Sequence, residues 1–263
     1  MRQRHWKALA ALCGALLIGG SGQSVAAPLA KDRGPRPALD SPALPLFPVA
    51  ERVVVLDPGH NGGGAANPDA INASVPDGRG GSKPCNTTGT SANDGYTEHE
   101  FNWDVAQRVR DLLSARGIRV IMSRDSDTGV GPCVDERGTL GQRVGAAAVV
   151  SIHADGAPAG AHGFHVAYSS PPQNDSQGEP SIRLATAIRD SMVGAGLSTS
   201  TYVGSDGMNP RADLAGLNFA ERPAALVECG NMRDPDDAAL IESPDGRARF
   251  ASAITSAVMA YLG

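Results

Sequence analysis

Two histidines and two glutamates stand where a hydrolytic metal site would need them. His60 follows the run Val53-Val54-Val55-Leu56-Asp57-Pro58-Gly59, and His153 ends the run Ala147-Ala148-Val149-Val150-Ser151-Ile152. Glu228 ends Ala224-Ala225-Leu226-Val227, and Glu98 opens a segment with helical periodicity. Imidazoles and a carboxylate meeting at one edge suit Zn²⁺, with three protein ligands and a fourth position left to water. A metal lowers the pKa of a water molecule, but a second carboxylate must accept the proton. The expected roles are therefore His60, Glu98 and His153 as ligands and Glu228 as general base.

The choice of Glu98 over its neighbour Glu100 rests on helix geometry. Thr97 is a good N-cap, and Glu100, three residues on, completes a capping box. Glu98 at the first helical position is left free to point out of the helix end. Its alternative reading is a charge that only complements the helix dipole, worth a few tenths of a kcal/mol. For Glu228 the alternative is a structural ion pair with Arg222. His99, His162 and His165 read as surface or strand histidines. Asp57 reads as a residue orienting His60 or as part of an Asp-Pro turn, and Asp155 as a loop cap or a group approaching the metal from the loop after His153.

These side chains need strands to carry them. The runs ending at His60, His153 and Glu228 are continuously apolar, as strands buried on both faces are. Pro58 and Gly59 stop the first, so His60 emerges past its carboxyl end, the edge at which open α/β sheets bind ligands. Phe101, Val105, Val109 and Leu112 form one face of a helix that Gly117 ends, and Ile118 to Met122 is the next strand. A helix follows from about Asp135 to Gly145. Gly163 to Tyr168 alternates like a strand with one more exposed face. The helix from Ser181 to about Gly194 turns Ile182, Ala185, Ile188 and Met192 inward, and Thr199 to Val203 is a further candidate strand. Helices over Asp236 to Ile241 and about Gly246 to Leu262 close the pattern. Strands alternating with helices imply an α/β fold, a mostly parallel sheet covered on both faces.

The N-terminus reads differently. Arg2, Arg4 and Lys7 precede the apolar run Ala8 to Ile18, and Ser24-Val25-Ala26-Ala27 follows. This is the layout of a cleaved secretory signal, here residues 1–26, with an apolar stretch too short to span a bilayer. Residues 27–50 are a Pro-rich flexible lead-in and 51–263 the catalytic domain. The formal net charge of the 263-residue chain is −5, and loss of the basic leader makes it more acidic, so nothing supports nucleic-acid binding. Cys85 and Cys133 lie in Gly/Pro-rich loops and are free to pair in an exported chain. Cys229 sits in an apolar strand end and reads as a buried free thiol. The 35 residues from Asn61 to Gly95 form a long Gly/Asn/Pro-rich loop, which in a compact domain usually serves a function.

At these residues the sequence resembles a known family. Val55-Leu56-Asp57-Pro58-Gly59-His60-Asn61-Gly62-Gly63, Glu98 with Phe101-Asn102, Ser151-Ile152-His153-Ala154-Asp155 and Pro223-Ala224-Ala225-Leu226-Val227-Glu228 occur in order. They are similar to the motifs of zinc-dependent N-acetylmuramoyl-L-alanine amidases of the amidase-3 type, over roughly Arg52 to Leu262. The resemblance implies a three-layer α/β/α fold with a twisted mixed sheet of about six strands. It also implies His60, Glu98 and His153 as zinc ligands and Glu228 as the catalytic glutamate. The implied reaction is cleavage of the amide between N-acetylmuramic acid and L-alanine of the stem peptide. A secreted monomer would then act on peptidoglycan or muropeptide fragments in the periplasm or cell wall, without a membrane anchor after signal cleavage. Arg124, Asp125, Asp127 and Arg137 match a stretch of the family to which a structural role is assigned. Gly141-Gln142 and Asn231 depart from the family pattern without removing a ligand. A Cys85–Cys133 disulfide is expected to pin the long loop beside the cleft. The short segment Ser169 to Pro180 leaves no room for the plugging helix of some members, so an open cleft is expected. Two rival readings are another zinc peptidase, marked by a carboxylate-binding arginine in the cleft, and a catalytically silent wall-binding protein, marked by loss of a ligand or of Glu228.

Overall fold

The computed structural model describes residues 52–158 and 160–263. The expected signal peptide at 1–26 and the whole lead-in at 27–50 lie outside the described residues. The sheet has six strands in the order β4-β1-β5-β8-β6-β7. They are β1 (Val53–Pro58), β4 (Arg119–Met122), β5 (Ala148–Asp155), β6 (His165–Ser169), β7 (Met208–Arg211) and β8 (Ala224–Asn231). β4, β1, β5 and β8 run parallel, β6 is antiparallel to β8, and β7 is parallel to β6. The expected mixed, mostly parallel sheet is thus present.

Helices α2 (Glu98–Ser114), α4 (Glu179–Gly194), α6 (Pro235–Glu242) and α7 (Pro244–Leu262) pack against one another and the sheet around the larger core. Val54, Leu56, Val150, Ile152, Ala225 and Val227 point into it from the strands. Phe101 and Phe250 meet edge to face at 5.7 Å between ring centres, joining α2 to α7. On the opposite face α3 (Val134–Arg143) and the short α5 (Ala215–Asn218) cover Val55, Val149, Ala167, Ala224 and Leu226. Alternation along each strand divides the apolar runs between the two cores. Gly117, at φ +76°, reverses the chain after α2, and the Ile118 amide bonds the Leu113 carbonyl.

Several local expectations change. α4 buries Ser181, Leu184, Ala185, Ile188 and Met192, whereas Ile182 is exposed. Thr199 makes only an isolated bridge to Phe164, and the extra strand is Met208–Arg211 instead. β6 is buried on both faces apart from Tyr168, because it lies inside the sheet between β8 and β7. The long loop is structured: it holds α1 (Pro68–Ile71) and a hairpin of β2 (Ser74–Pro76) with β3 (Ser82–Pro84).

Cys85, directly after β3, is disulfide-bonded to Cys133, the residue before α3. The Val134 amide also bonds the Cys85 carbonyl at 2.8 Å, so the loop is held against the start of α3 twice. Closing 48 residues of sequence separation corresponds to about 4 kcal/mol at most on the chain-entropy account. Cys229 is buried and free, and burial together with the nearby Glu228 and Glu98 charges pushes its thiol pKa up, as for an unreactive core residue. Non-reducing peptide mapping is expected to recover Cys85 and Cys133 in one linked fragment. The double substitution to serine should lower unfolding stability by up to about 4 kcal/mol in denaturant titration.

Candidate metal and hydrolytic site

The site lies at the carboxyl end of the sheet: His60 follows β1, while His153 and Glu228 stand within the last residues of β5 and β8, side by side in the ladder. Glu98 arrives from the first turn of α2. The capping box is as expected: the Glu100 carboxylate accepts from the Thr97 hydroxyl at 2.6 Å and the Thr97 amide at 3.2 Å. Glu98 is thereby left to turn inward. Its Oε1 lies 3.1 Å from His60 Nε2 and 2.9 Å from His153 Nδ1, while Oε2 accepts from the Thr90 amide at 2.9 Å. The two imidazoles stand edge to face at 4.9 Å. One ligand atom from each of His60, Glu98 and His153 falls within 4.8 Å of the others, a grouping able to hold a metal ion.

Second partners fix the ligand atoms. His60 Nδ1 lies 2.9 Å from the Thr87 carbonyl. A proton on Nδ1 satisfies that acceptor and leaves Nε2 with its lone pair toward the centre. Burial raises the Glu98 pKa, but the charges and hydrogen bonds of His60 and His153 outweigh it and hold the carboxyl well below its ordinary range. For His60, burial opposes the charged form, and Glu98 reverses this and raises its pKa. An anionic carboxylate between two imidazoles is a donor set suited to a divalent cation.

His60 has φ +59°, a left-handed backbone that a non-glycine residue adopts at a cost of about 1–3 kcal/mol. Two buried arginines hold this turn. The Pro58 carbonyl accepts from Arg124 Nε at 2.9 Å and Arg137 Nη1 at 2.8 Å, and Arg137 Nη2 reaches the His60 carbonyl at 3.0 Å. Arg124 Nη2 and Asn102 Nδ2 donate to the Gly59 carbonyl. Asp57 does not touch His60. Its carboxylate accepts from Ser123, Ser151 and Arg137 at 2.6 to 2.9 Å, so it acts through Arg137. The structural role expected for Arg124, Asp127 and Arg137 is realised in this cradle, with Asp127 bonding both Arg124 and His99.

Glu228 is flanked in register by His153 of β5 and His165 of β6. Its Oε2 is enclosed with no protein partner, and Arg222 instead bonds the Ala146 carbonyl, so the ion-pair alternative does not hold. Burial first, then the Glu98 and Asp155 charges, push the Glu228 pKa well up, against the weaker pull of Arg211. Sequence reading missed the group beyond it. Asp155 accepts from His165 and from the Tyr202 hydroxyl, and His165 is buried in the sheet, with its Nδ1 beside Asn209. Burial of His165 follows from β6 being an inner strand, which its composition does not reveal.

With this geometry in place the comparisons are decisive. Residues 54–260 match the family model described as N-acetylmuramoyl-L-alanine amidase. The chain belongs to that family. It is 46% identical over 226 residues to an N-acetylmuramoyl-L-alanine amidase of Mycobacterium tuberculosis, covering 86% of this chain and 92% of that protein. The crystal structure of the amidase Ami1 from Mycobacterium abscessus superposes with a TM-score of 0.79 at 51% identity, over 82% of this chain and 100% of that one. Ami1 from Mycobacterium smegmatis gives 0.78 at 50%, over 81% and 97%. Membership of the amidase family makes the chain a hydrolase, and the His60–Glu98–His153 grouping lies inside the matched region.

Two predictions follow the packing. A Cβ built at Gly59 would lie 2.1 to 2.5 Å from three atoms of the His153 ring, so Gly59→Ala must displace that imidazole. It should weaken metal retention by about tenfold or more, read by metal analysis after dialysis. The second concerns acid. Burial raises the Asp57 pKa, but Arg137, Ser123 and Ser151 overcome it and bring it to about 2 from 3.8. A depressed carboxyl adds stability above its unfolded pKa, and this is lost as pH falls through about 2. The contribution is about 2 kcal/mol. Thermal melts between pH 5 and 2 should therefore fall less steeply for Asp57→Asn than for the wild type.

Proposed function

We propose that the protein is a secreted, zinc-dependent peptidoglycan amidase that cuts the amide joining the lactyl group of N-acetylmuramic acid to L-alanine of the stem peptide. The observation that carries this reading is the convergence of His60 Nε2, Glu98 Oε1 and His153 Nδ1 beside the unpartnered Glu228 Oε2, in a chain of this family. Two imidazole nitrogens and one carboxylate oxygen are the donor set of a catalytic zinc site with one position open. Zinc, when bound, supplies a Lewis acid for the amide carbonyl and makes water acidic enough to be deprotonated near neutral pH.

This chain's own residues do the rest. Glu98 and the two imidazoles set the position of the reacting carbonyl. With positive charge in the site, Glu228 is drawn back from its raised pKa toward the ionised form. It takes the proton of the attacking water and passes it to the amide nitrogen as the C–N bond breaks. The products are a lactyl carboxylate and a free L-alanine amine. The enclosed setting of Oε2 favours this second transfer, because a buried carboxyl holds its proton until the amine can take it.

The expected setting is the periplasm or cell wall, and peptidoglycan or its muropeptide fragments are the expected partner, in wall remodelling, cell separation or muropeptide recycling. The Cys85–Cys133 disulfide supports an oxidising compartment, and among the described residues no helix is long and apolar enough to cross a membrane. The test is mass spectrometry of MurNAc-L-Ala-D-isoGln incubated with the protein. Free dipeptide should appear with zinc, vanish after chelation and return on zinc addition. Glu228→Ala should lose about 10²–10⁴-fold in rate while retaining zinc. Intact substrate in the presence of bound zinc would contradict the reading.

A further inference from the structure

A hydrogen bond crosses the sheet beside Glu228, and the proposed chemistry leaves it without a task. His165 of β6 and Asp155 of β5 stand on either side of β8. Neighbouring strands lie about 4.8 Å apart, so β5 and β6 are separated by about 9.6 Å. His165 Nε2 nevertheless reaches Asp155 Oδ2 at 3.3 Å. Directly opposed residues share a face, so His153, Glu228 and His165 form one row across the three strands. Alternation puts Asp155 on the same face as His153, level with Asn231. The bridge therefore passes over β8 just beyond the Glu228 side chain.

Each member of the bridge is held in one sense. Asn209, buried on β7, donates its Nδ2 proton to His165 Nδ1 at 3.4 Å. Because Nδ1 accepts, the ring proton sits on Nε2 and is donated to Asp155. The Tyr202 hydroxyl donates to the same Asp155 oxygen at 3.1 Å, and its ring stands edge to face with His165 at 6.0 Å between centres. Asp155 Oδ1 accepts from the Gly156 amide at 2.7 Å. Three donors on one carboxyl favour its ionised form. The Asp155 side chain is 36% exposed against 3% for His165, so of the pair Asp155 is the one open to the cleft.

A fixed negative charge at this place has a use in amide hydrolysis. The oxygen of water bonds the acyl carbon, and its proton passes through Glu228 to the amide nitrogen. The nitrogen then has four bonds and a positive charge, which disappears when the C–N electron pair returns to it. Preorganised charge aimed at a centre that becomes charged only during the reaction lowers the barrier. Glu228 is neutral while it carries the proton, and Glu98 is committed to the ligand grouping. The standing negative charge beside the nitrogen is therefore that of Asp155.

We infer that His165 is a positioning residue of the amide cleavage: by bridging over β8 to Asp155 it fixes a negative charge beside Glu228, where the leaving nitrogen becomes positive. The inference rests on the amidase reading and adds to it how the departing amine is stabilised. His165, 2% exposed, touches no substrate; Asp155 acts by its charge, and His165 acts by holding Asp155.

The experiment compares MurNAc-L-Ala-D-isoGln with its ester analogue, in which L-lactate replaces L-alanine. Both substrates use the same site and Glu228, but an ester oxygen is too weakly basic to take up a full positive charge before it leaves. Asp155→Asn keeps the shape and loses the charge. Its kcat for the amide should fall about tenfold or more with KM within about twofold, while kcat for the ester stays within about twofold. His165→Leu should show the same amide-selective loss. His165→Gln, whose side-chain amide keeps a donor for Asp155, should recover most of it. Zinc content and melting temperature are read for each variant; if His165→Leu does not fold, Asp155→Asn and His165→Gln carry the test. Equal losses on amide and ester, or no loss on either, would overturn the inference and leave the amidase reading intact. A wild type that holds zinc and leaves the amide uncut would overturn the amidase reading and the inference with it.

Discussion

The arrangement depends on a turn that the backbone resists. His60 must leave β1 in a left-handed conformation for its Nε2 to face Glu98 and His153, and nothing in an imidazole side chain favours that backbone. Arg124 and Arg137 supply the restoring force. Between them they donate to the carbonyls of Pro58, Gly59 and His60, three consecutive acceptors whose pairing a protein interior demands. Their own charges are balanced by Asp127 and Asp57, so each guanidinium is anchored at one end and works at the other. Buried pairs of this kind add little net stability. Their role here is to specify one backbone path among several.

From that turn the remaining geometry is short-range. Gly59 has no side chain because His153 occupies the space, and Gly89 has none because Glu98 and His60 do. Thr87 and Thr90, in the disulfide-held segment, each supply one backbone group, a carbonyl for His60 Nδ1 and an amide for Glu98 Oε2. The long loop therefore belongs to the site's supporting structure, and the Cys85–Cys133 bond fastens it to the same helix that carries Arg137.

Much of this could be read from the chain. Three buried parallel strands, β1, β5 and β8, announce themselves as apolar runs, and they bring His60, His153 and Glu228 to the expected edge. The Thr97–Glu100 capping box separated Glu98 from its neighbour. Other parts were silent for physical reasons. β7, Met-Asn-Pro-Arg, carries a proline and alternates poorly, and it survives because an edge strand pairs on one side only. Ile182 looked like a core residue, but the phase of α4 is set by Leu184, Ile188 and Met192, with a buried serine at 181 whose hydroxyl bonds the Ser176 carbonyl and accepts from the Ala224 amide. The cradle of Arg124 and Arg137, and the Asp155–His165–Tyr202 group, join residues 10 to 79 positions apart, and no local pattern marks such partners.

One irregularity of the sheet separates what is fixed from what is free to change. His153 faces Glu228 across β5 and β8, but Asp155 faces Asn231, so β8 carries one extra residue just past the glutamate. Up to that bulge, every residue of β8 is locked in phase with its neighbour, since a one-residue slip would turn Glu228 to the wrong face. Beyond it the phase is reset: Asn231 still faces Asp155, but its side-chain amide bonds the adjoining loop at Ala157, Pro158 and Ala161. Insertions and replacements on the far side can therefore remodel what the cleft admits while the proton-carrying carboxylate keeps its place, a division of labour written into a single unpaired backbone position.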